Sequence, residues 1–143
     1  MYNALETVDV FRNFFTKKPV PLSGAPTVRR QKTYSAESGY VYQYFYEGMR
    51  PFTSGGQTGT EFVFTFSADR KTWHPVSILV SEEAIAGWEQ QRGRTLSTTE
   101  RYAIAKMALF RGFDERASPE LMKQEVRVRA EDVITILDAL GLE

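Results

Sequence analysis

Apolar residues recur along this chain with two periods, and the changes between them divide it into elements. Residues 3–17 place Leu5, Val8, Phe11 and Phe15 at spacings of three and four, followed by Lys17, Lys18 and Pro19. One face of a helix repeats at that interval, terminal lysines complement its dipole and proline stops it, so an N-terminal amphipathic helix is expected. The segment PVPLSGAP, residues 19–26, is loop chemistry and predicts an extended crossing.

From residue 28 to residue 80 the period is two. Four candidate strands follow one another: VRRQKTYS (28–35), YVYQYFYEGMRPF (40–52), TEFVFTF (60–66) and TWHPVSILV (72–80). The breaks AESG, TSGGQTG and SADRK are short and rich in turn residues, which predicts an antiparallel meander. Arg29, Arg30 and Lys32 suit the first strand to a sheet edge. An exposed EFVFTF edge would invite aggregation, so the third strand is expected inside the sheet.

Beyond residue 81 the helical period returns. Ser81 is placed to cap EEAIAGWEQQ, with Glu82 and Glu83 in the first turn and Gly93 as the stop. STTE (97–100) has the spacing of a capping box, Ser97 to Glu100, and opens a helix through Ala103, Ile104, Met107 and Phe110. Tyr102, Leu109 and Phe113 make that helix apolar on further sides, which predicts the most buried helix, with Gly112 weakening its end. Ser118 and Pro119 start a short turn, QEVRV (124–128) is a candidate fifth strand, and AEDVITILDALG (130–141) predicts a last helix with Gly141 at its C-terminus. The expected architecture is a single α+β domain spanning residues 1–143: an N-terminal helix, a four-stranded antiparallel meander with a candidate fifth strand, and C-terminal helices packed on one face.

The alternation does not choose a buried face. Tyr40, Tyr42, Tyr44 and Tyr46 share one side of the second strand, yet Val41, Gln43 and Phe45 opposite them are also mostly apolar. Phe62, Phe64 and Phe66 back onto Val63 and Thr65 in the third strand, and Val76, Ile78 and Val80 back onto Trp73, Ser77 and Leu79 in the fourth. A sheet apolar on both sides needs a second cover, from the N-terminal helix or from a second copy of the chain, so a homodimer is expected.

Composition narrows the function classes. Eighteen Lys and Arg balance 18 Asp and Glu over 143 residues, so no global field draws the chain to nucleic acid or an anionic membrane. There is no cysteine, which removes disulfides and thiolate chemistry, and no run of about 18 apolar residues for a membrane span. Glu6 and Asp9 stand where a secretory signal would be basic and then apolar, so a cytoplasmic location is expected.

The chemistry-bearing motifs are sparse. His74 is the single histidine, so a multi-histidine metal site is excluded, and no Ser or Asp motif accompanies it. SGGQTG (54–59) lacks the Gly-Lys-Ser/Thr ending of a phosphate loop and enters a strand, so it is expected as a hairpin loop. Glu82, Glu83, Glu100, Glu131 and Asp132 are accounted for by helix starts. Arg92, Arg94, Arg101, Arg111 and Arg116 are interspersed with acids, as on an ion-paired surface. No cofactor is called for, and no motif carries functional residues over from a known family.

The functional expectation is therefore a non-catalytic binding or interaction protein that self-associates or meets a protein or small-molecule partner through an aromatic sheet surface around Tyr42, Tyr44 and Tyr46. Two rivals stand beside it. A single-stranded nucleic-acid binder would use Tyr42 and Tyr44 with Arg30 and Lys32, but zero net charge and the lack of an RNP motif weigh against it. A small enzyme or ligand-binding protein would have its pocket at Trp73 and His74.

Overall fold

The computed structural model describes residues 20–142, so the expected helix over 3–17 lies outside the described residues. Within them, five strands form one sheet in the order β1 to β5: β1 (Lys32–Ser35), β2 (Val41–Ser54), β3 (Gln57–Ser67), β4 (His74–Ser81) and β5 (Val126–Val128). Three helices, α1 (Glu82–Arg92), α2 (Thr98–Glu115) and α3 (Ala130–Ala139), follow or flank the last strands. The meander of the first four strands is as expected, with β1 at an edge and β3 central. The fifth strand exists but runs parallel to β4, so the sheet is mixed rather than purely antiparallel. The reason is the connection: the chain returns to β4 through two helices, and a crossover of that length delivers a strand in the parallel sense.

The period-two pattern resolves into faces through the register. Tyr44 lies opposite Phe66, Tyr46 opposite Phe64, and Phe62, Phe64 and Phe66 in turn lie opposite Ile78, Val76 and His74. Cross-strand partners share a face, so the tyrosine row and the phenylalanine row form one continuous aromatic surface. That surface meets α2. Phe113, fully buried, stacks on Tyr42 with ring centroids 4.1 Å apart and also touches Tyr34, Tyr44 and Phe66. Each such pair adds about 0.5–1.5 kcal/mol beyond area burial. Ile104, Ala105 and Leu109 complete the buried face of α2, and Gly112 is buried where an added Cβ would meet Met122 at 3.4 Å. Gly112 is thus a packing position inside the helix, which runs on to Glu115.

The caps expected from the sequence are formed. The Ser81 side chain accepts from Ala84 N–H, Gly93 closes α1 in the left-handed region, and Ser97 with Glu100 makes a reciprocal capping box. Arg101 then ties α1 to α2, donating to Glu82 at 2.6 Å and to Glu89 at 3.4 Å.

One irregularity decides which face the end of β2 presents. The register shifts between Tyr46 and Gly48, so Glu47 and Gly48 together oppose Val63. Such a bulge inverts the alternation: Met49 joins Phe62 on the helix side, and Arg50 pairs with Glu61 on the other. Gly48 has φ +134, and a Cβ there would lie 2.8 Å from the Ser23 carbonyl oxygen. Glycine therefore lets the segment before β1 close onto β2, where Ser23 and Met49 exchange two backbone hydrogen bonds of 2.8 Å.

The face away from the helices is not bare. Val63 and Leu79 are buried there without joining the helix-side core. Arg29 lies over the Phe45 ring at 3.8 Å and binds Glu47, while Arg50 binds Glu61, which also accepts from Ser77. Arg127 of β5 donates to Ser54 at 2.8 Å, so the sheet has curled far enough for β5 to touch the β2–β3 turn. Among the described residues no helix is long and apolar enough to cross a membrane.

Because Phe113 holds four aromatic partners, Phe113→Ala is expected to cost roughly 3–5 kcal/mol in urea denaturation. Leu121→Ala, at a residue 40% exposed, should change stability by about 0.5 kcal/mol or less. Similar costs at the two positions would show that α2 is not the layer that closes the sheet.

Candidate functional site

The aromatic row is divided by its burial. Tyr42 is fully buried between Phe113 and Phe66, its hydroxyl enclosed without a partner among the described residues, and burial pushes its ionisation up. It is a core residue, which corrects its assignment to an open contact surface. Tyr44 is 4% exposed and edge-on to Phe64 and Phe110. Tyr46 is half-buried, 5.2 Å from Phe64 and 4.7 Å from Tyr102 of α2. The rings are thus consumed by packing, and what the row still offers is its hydroxyl end.

That end opens into a cleft. β1 pairs with only Val41–Tyr44 of β2, and the next contact along that edge is Ser23 on Met49. Residues 24–31 therefore run beside only residues 45–48 of β2, and the excess chain bows outward. The segment alternates as a strand does although it is not paired: Pro26, Val28, Arg30 and Lys32 line the cleft, while Arg29 turns to the other face over Phe45. The opposite wall is Tyr44, Tyr46 and Tyr102, and the space between is about 170 Å³.

Its electrostatics are one-signed. Among the described residues, no carboxylate or hydrogen-bond partner engages Arg30 or Lys32, and none engages the hydroxyls of Tyr44, Tyr46 or Tyr102. Burial, followed by the neighbouring Tyr102 hydroxyl, pushes the phenols of Tyr44 and Tyr46 up to about 12. They stay protonated at neutral pH and can donate. Lys106 of α2, 5.8 Å from the Phe110 ring, has its ammonium pushed down by burial and then by the charge of Lys32. Among the described residues neither lysine has an ion-pair partner.

Two other concavities are less equipped. A trough of about 290 Å³ contains His74 with Tyr40, Phe66 and Asp69, but Trp73 faces the other side of the sheet against Phe45. The structure therefore does not bring Trp73 and His74 into one pocket, because adjacent strand residues point opposite ways. Asp69 is already committed: the backbone N–H groups of Thr72 and Lys71 and the Ser67 hydroxyl donate to it and hold its carboxyl well below the usual range. His74 has no hydrogen-bond partner among the described residues; its ring lies 5.8 Å from Phe66 and its charge helps lower the Glu120 carboxyl.

A second cleft, about 190 Å³, is lined by Arg111, Arg116, Arg127 and Arg129. These arginines are spent. Arg116 donates to the carbonyls of Leu121, Gln124 and Glu125, Arg127 binds Glu125 and Ser54, and Arg111 and Arg129 share Asp132. Among the described residues, no cluster of three or more His, Asp or Glu could hold a metal ion.

Four of the five sequence-nominated binding residues, Arg30, Lys32, Tyr44 and Tyr46, therefore meet in one cleft, and Tyr42 does not. Tyr102 was not foreseen in the cleft because a helix turn gives no hint of the strand it covers. The one signal was that Tyr102 widens the apolar face of its helix. Comparison with known protein families, with curated proteins and with solved structures found no match to the chain.

The buried phenols make the fold sensitive to alkali. Tyr34, whose phenol is pushed to about 12 by burial and by its hydrogen bond to Asp114, adds to Tyr44 and Tyr46. A phenol that ionises near 10 when unfolded and near 12 when folded stabilises the fold fully below pH ~10. That stability falls away as pH rises toward 12. Urea midpoints should therefore hold up to about pH 9 and fall steeply beyond 10, with phenolate absorbance appearing in step with unfolding. Full ionisation of all tyrosines near pH 10 in the folded protein would contradict this.

Proposed function

We propose that the chain is a non-catalytic binding protein whose ligand enters the cleft between residues 24–32 and the tyrosine row. One observation carries the reading: Arg30, Lys32, Tyr44, Tyr46 and Tyr102 line one concavity, and among the described residues their cationic groups and hydroxyls have no hydrogen-bond partner. Unpaired polar groups around an apolar hollow are what a binding site presents before its ligand arrives. Phenols held near 12 are poor proton carriers at neutral pH, which favours binding over acid–base catalysis. A cytoplasmic setting goes with this reading and draws its support from the cysteine-free composition.

The nucleic-acid reading draws less support. Base stacking needs an open ring face, whereas Tyr44 is 4% exposed and Tyr46 packs against both Phe64 and Tyr102. Self-association has one observation in its favour. Val41 is 44% exposed on the sheet face away from the helices, close in the strand to Phe45, which packs with Trp73. A second copy would meet the sheet on that face, not through the tyrosine row.

Chemical-shift mapping with benzoate, benzyl alcohol, inorganic phosphate and a short deoxythymidine oligonucleotide tests the cleft. At least one probe should move the amides of Arg30, Lys32, Tyr44, Tyr46 and Tyr102 together. The reading falls if these amides stay still while every probe at millimolar concentration moves only other regions or nothing. For the second copy, light scattering across a dilution series should show a dimer that Val41→Glu converts to monomer. A dimer indifferent to that substitution uses another surface.

A further inference from the structure

Resting on the binding reading above, we infer that the ligand of this cleft is a small aromatic acid, its anionic group held by Arg30 and Lys32 and its ring lodged against Pro26, Val28 and the tyrosine edges. The hydrogen-bonding inventory fixes the sign. The three protonated phenols each have an O–H to donate, and Arg30 and Lys32 carry only donors. The lining side chains include no carboxylate and no amide oxygen. Such a set is satisfied by an acceptor-rich anion and poorly by a cation.

Charge placement agrees. Lys32 depresses the ammonium of Lys106, so the two charges already act on each other without relief. An anion entering beside Lys32 removes that repulsion, so Lys106 should become harder to deprotonate when the ligand is bound. Elsewhere among the described residues several arginines meet carboxylates or carbonyls, as Arg29, Arg50, Arg101 and Arg116 do. Arg30 and Lys32, like Arg70, Lys71 and Arg92, have neither among the described residues, and of these only Arg30 and Lys32 line the cleft.

Size and wall chemistry select the rest of the ligand. At about 170 Å³ the cleft is smaller than the roughly 300–1,000 Å³ of a drug-sized pocket, which suits a single ring bearing an acid group. Pro26 and Val28 form an apolar wall facing the tyrosine edges. Ring edges carry the positive rim of the aromatic quadrupole and meet the face of another ring favourably. Inorganic phosphate would meet the cations and leave this wall unfilled.

Calorimetric titration of the full chain separates the alternatives. Benzoate should bind more tightly than benzyl alcohol, acetate or inorganic phosphate, and more weakly as salt rises. Lys32→Ala or Arg30→Ala, both at exposed positions, should weaken benzoate by about tenfold, the usual worth of a charge-assisted contact. Tyr46→Phe keeps the ring and removes one donor, and should weaken it by about two- to tenfold. Unchanged circular dichroism and melting temperature would show that each variant folds. Equal binding of acetate or phosphate would overturn the aromatic assignment, and equal binding of benzyl alcohol would overturn the anionic one. An oligonucleotide that binds the cleft more tightly than benzoate would also overturn it. If none of the probes moves the cleft residues in shift mapping, the binding reading itself fails, which is a different result from a wrong ligand class.

Discussion

The aromatic face of the sheet cannot be left in water, and α2 is the layer that keeps it dry. Tyr42, Tyr44, Phe62, Phe64 and Phe66 are all buried beneath or beside it. Phe113 sits where four of the aromatic contacts meet, and Tyr102, three helical turns earlier in the chain, reaches the other end of the same surface. The two ends differ in their cover. At Phe113 the β1–β2 turn folds over the helix: Tyr34 stacks on Phe110 at 4.2 Å and donates to Asp114, which also accepts from the Glu37 amide. At Tyr102 no strand continues β1, and the hydroxyl ends of the tyrosines are left facing a gap.

The cleft thus follows from a mismatch in length between neighbouring segments. β1 is four residues long beside a β2 of 14 residues. The chain before β1 returns to β2 only at Ser23, drawn in where Gly48 leaves room for it. Between these two attachments the backbone bows away, carrying Pro26, Val28 and Arg30 with it. The bulge at Glu47 and Gly48 contributes twice, first by admitting the strap and then by ending the tyrosine alternation so that Met49 continues the helix-side face.

Zero net charge concealed an uneven distribution. Most cations in the fold are neutralised locally, by Glu47, Glu61, Glu82 and Glu100 among others. The Arg94 contact and the Ser97 amide hold the Glu100 carboxyl down to about 2, so that helix start is a fixed anion rather than a titrating one. Among the described residues Arg30, Lys32, Arg70, Lys71, Arg92 and Lys106 lie outside this pattern, and of these Arg30 and Lys32 line the cleft. A sum over the chain averages the two populations, and only their placement shows that the cleft is lined by two cations and no carboxylate.

Much of the architecture was legible because it rests on local rules. Period two, short turns, the Ser81 and Ser97 caps and the left-handed Gly93 depend on neighbours in sequence, and these elements formed, although the first strand begins at Lys32 rather than residue 28 and the expected 54–59 loop narrows to a turn at residues 55–56. So did the edge position of β1 and the central position of β3, which follow from charge and hydrophobicity along single strands. The parallel sense of β5, the inversion at Glu47 and the burial of Tyr42 did not follow, because each depends on a partner distant in the chain. The choice of face was the same kind of question: both sides of β2 are apolar, and only the docking of α2 selects one. For the site, the sequence by itself determined that Arg30, Lys32, Tyr44 and Tyr46 would lie on adjoining extended segments. That they converge, that Tyr102 joins them, and that Tyr42 and Trp73 do not, was decided by tertiary structure, since a helix crossing a sheet brings together side chains whose separation no sequence period encodes.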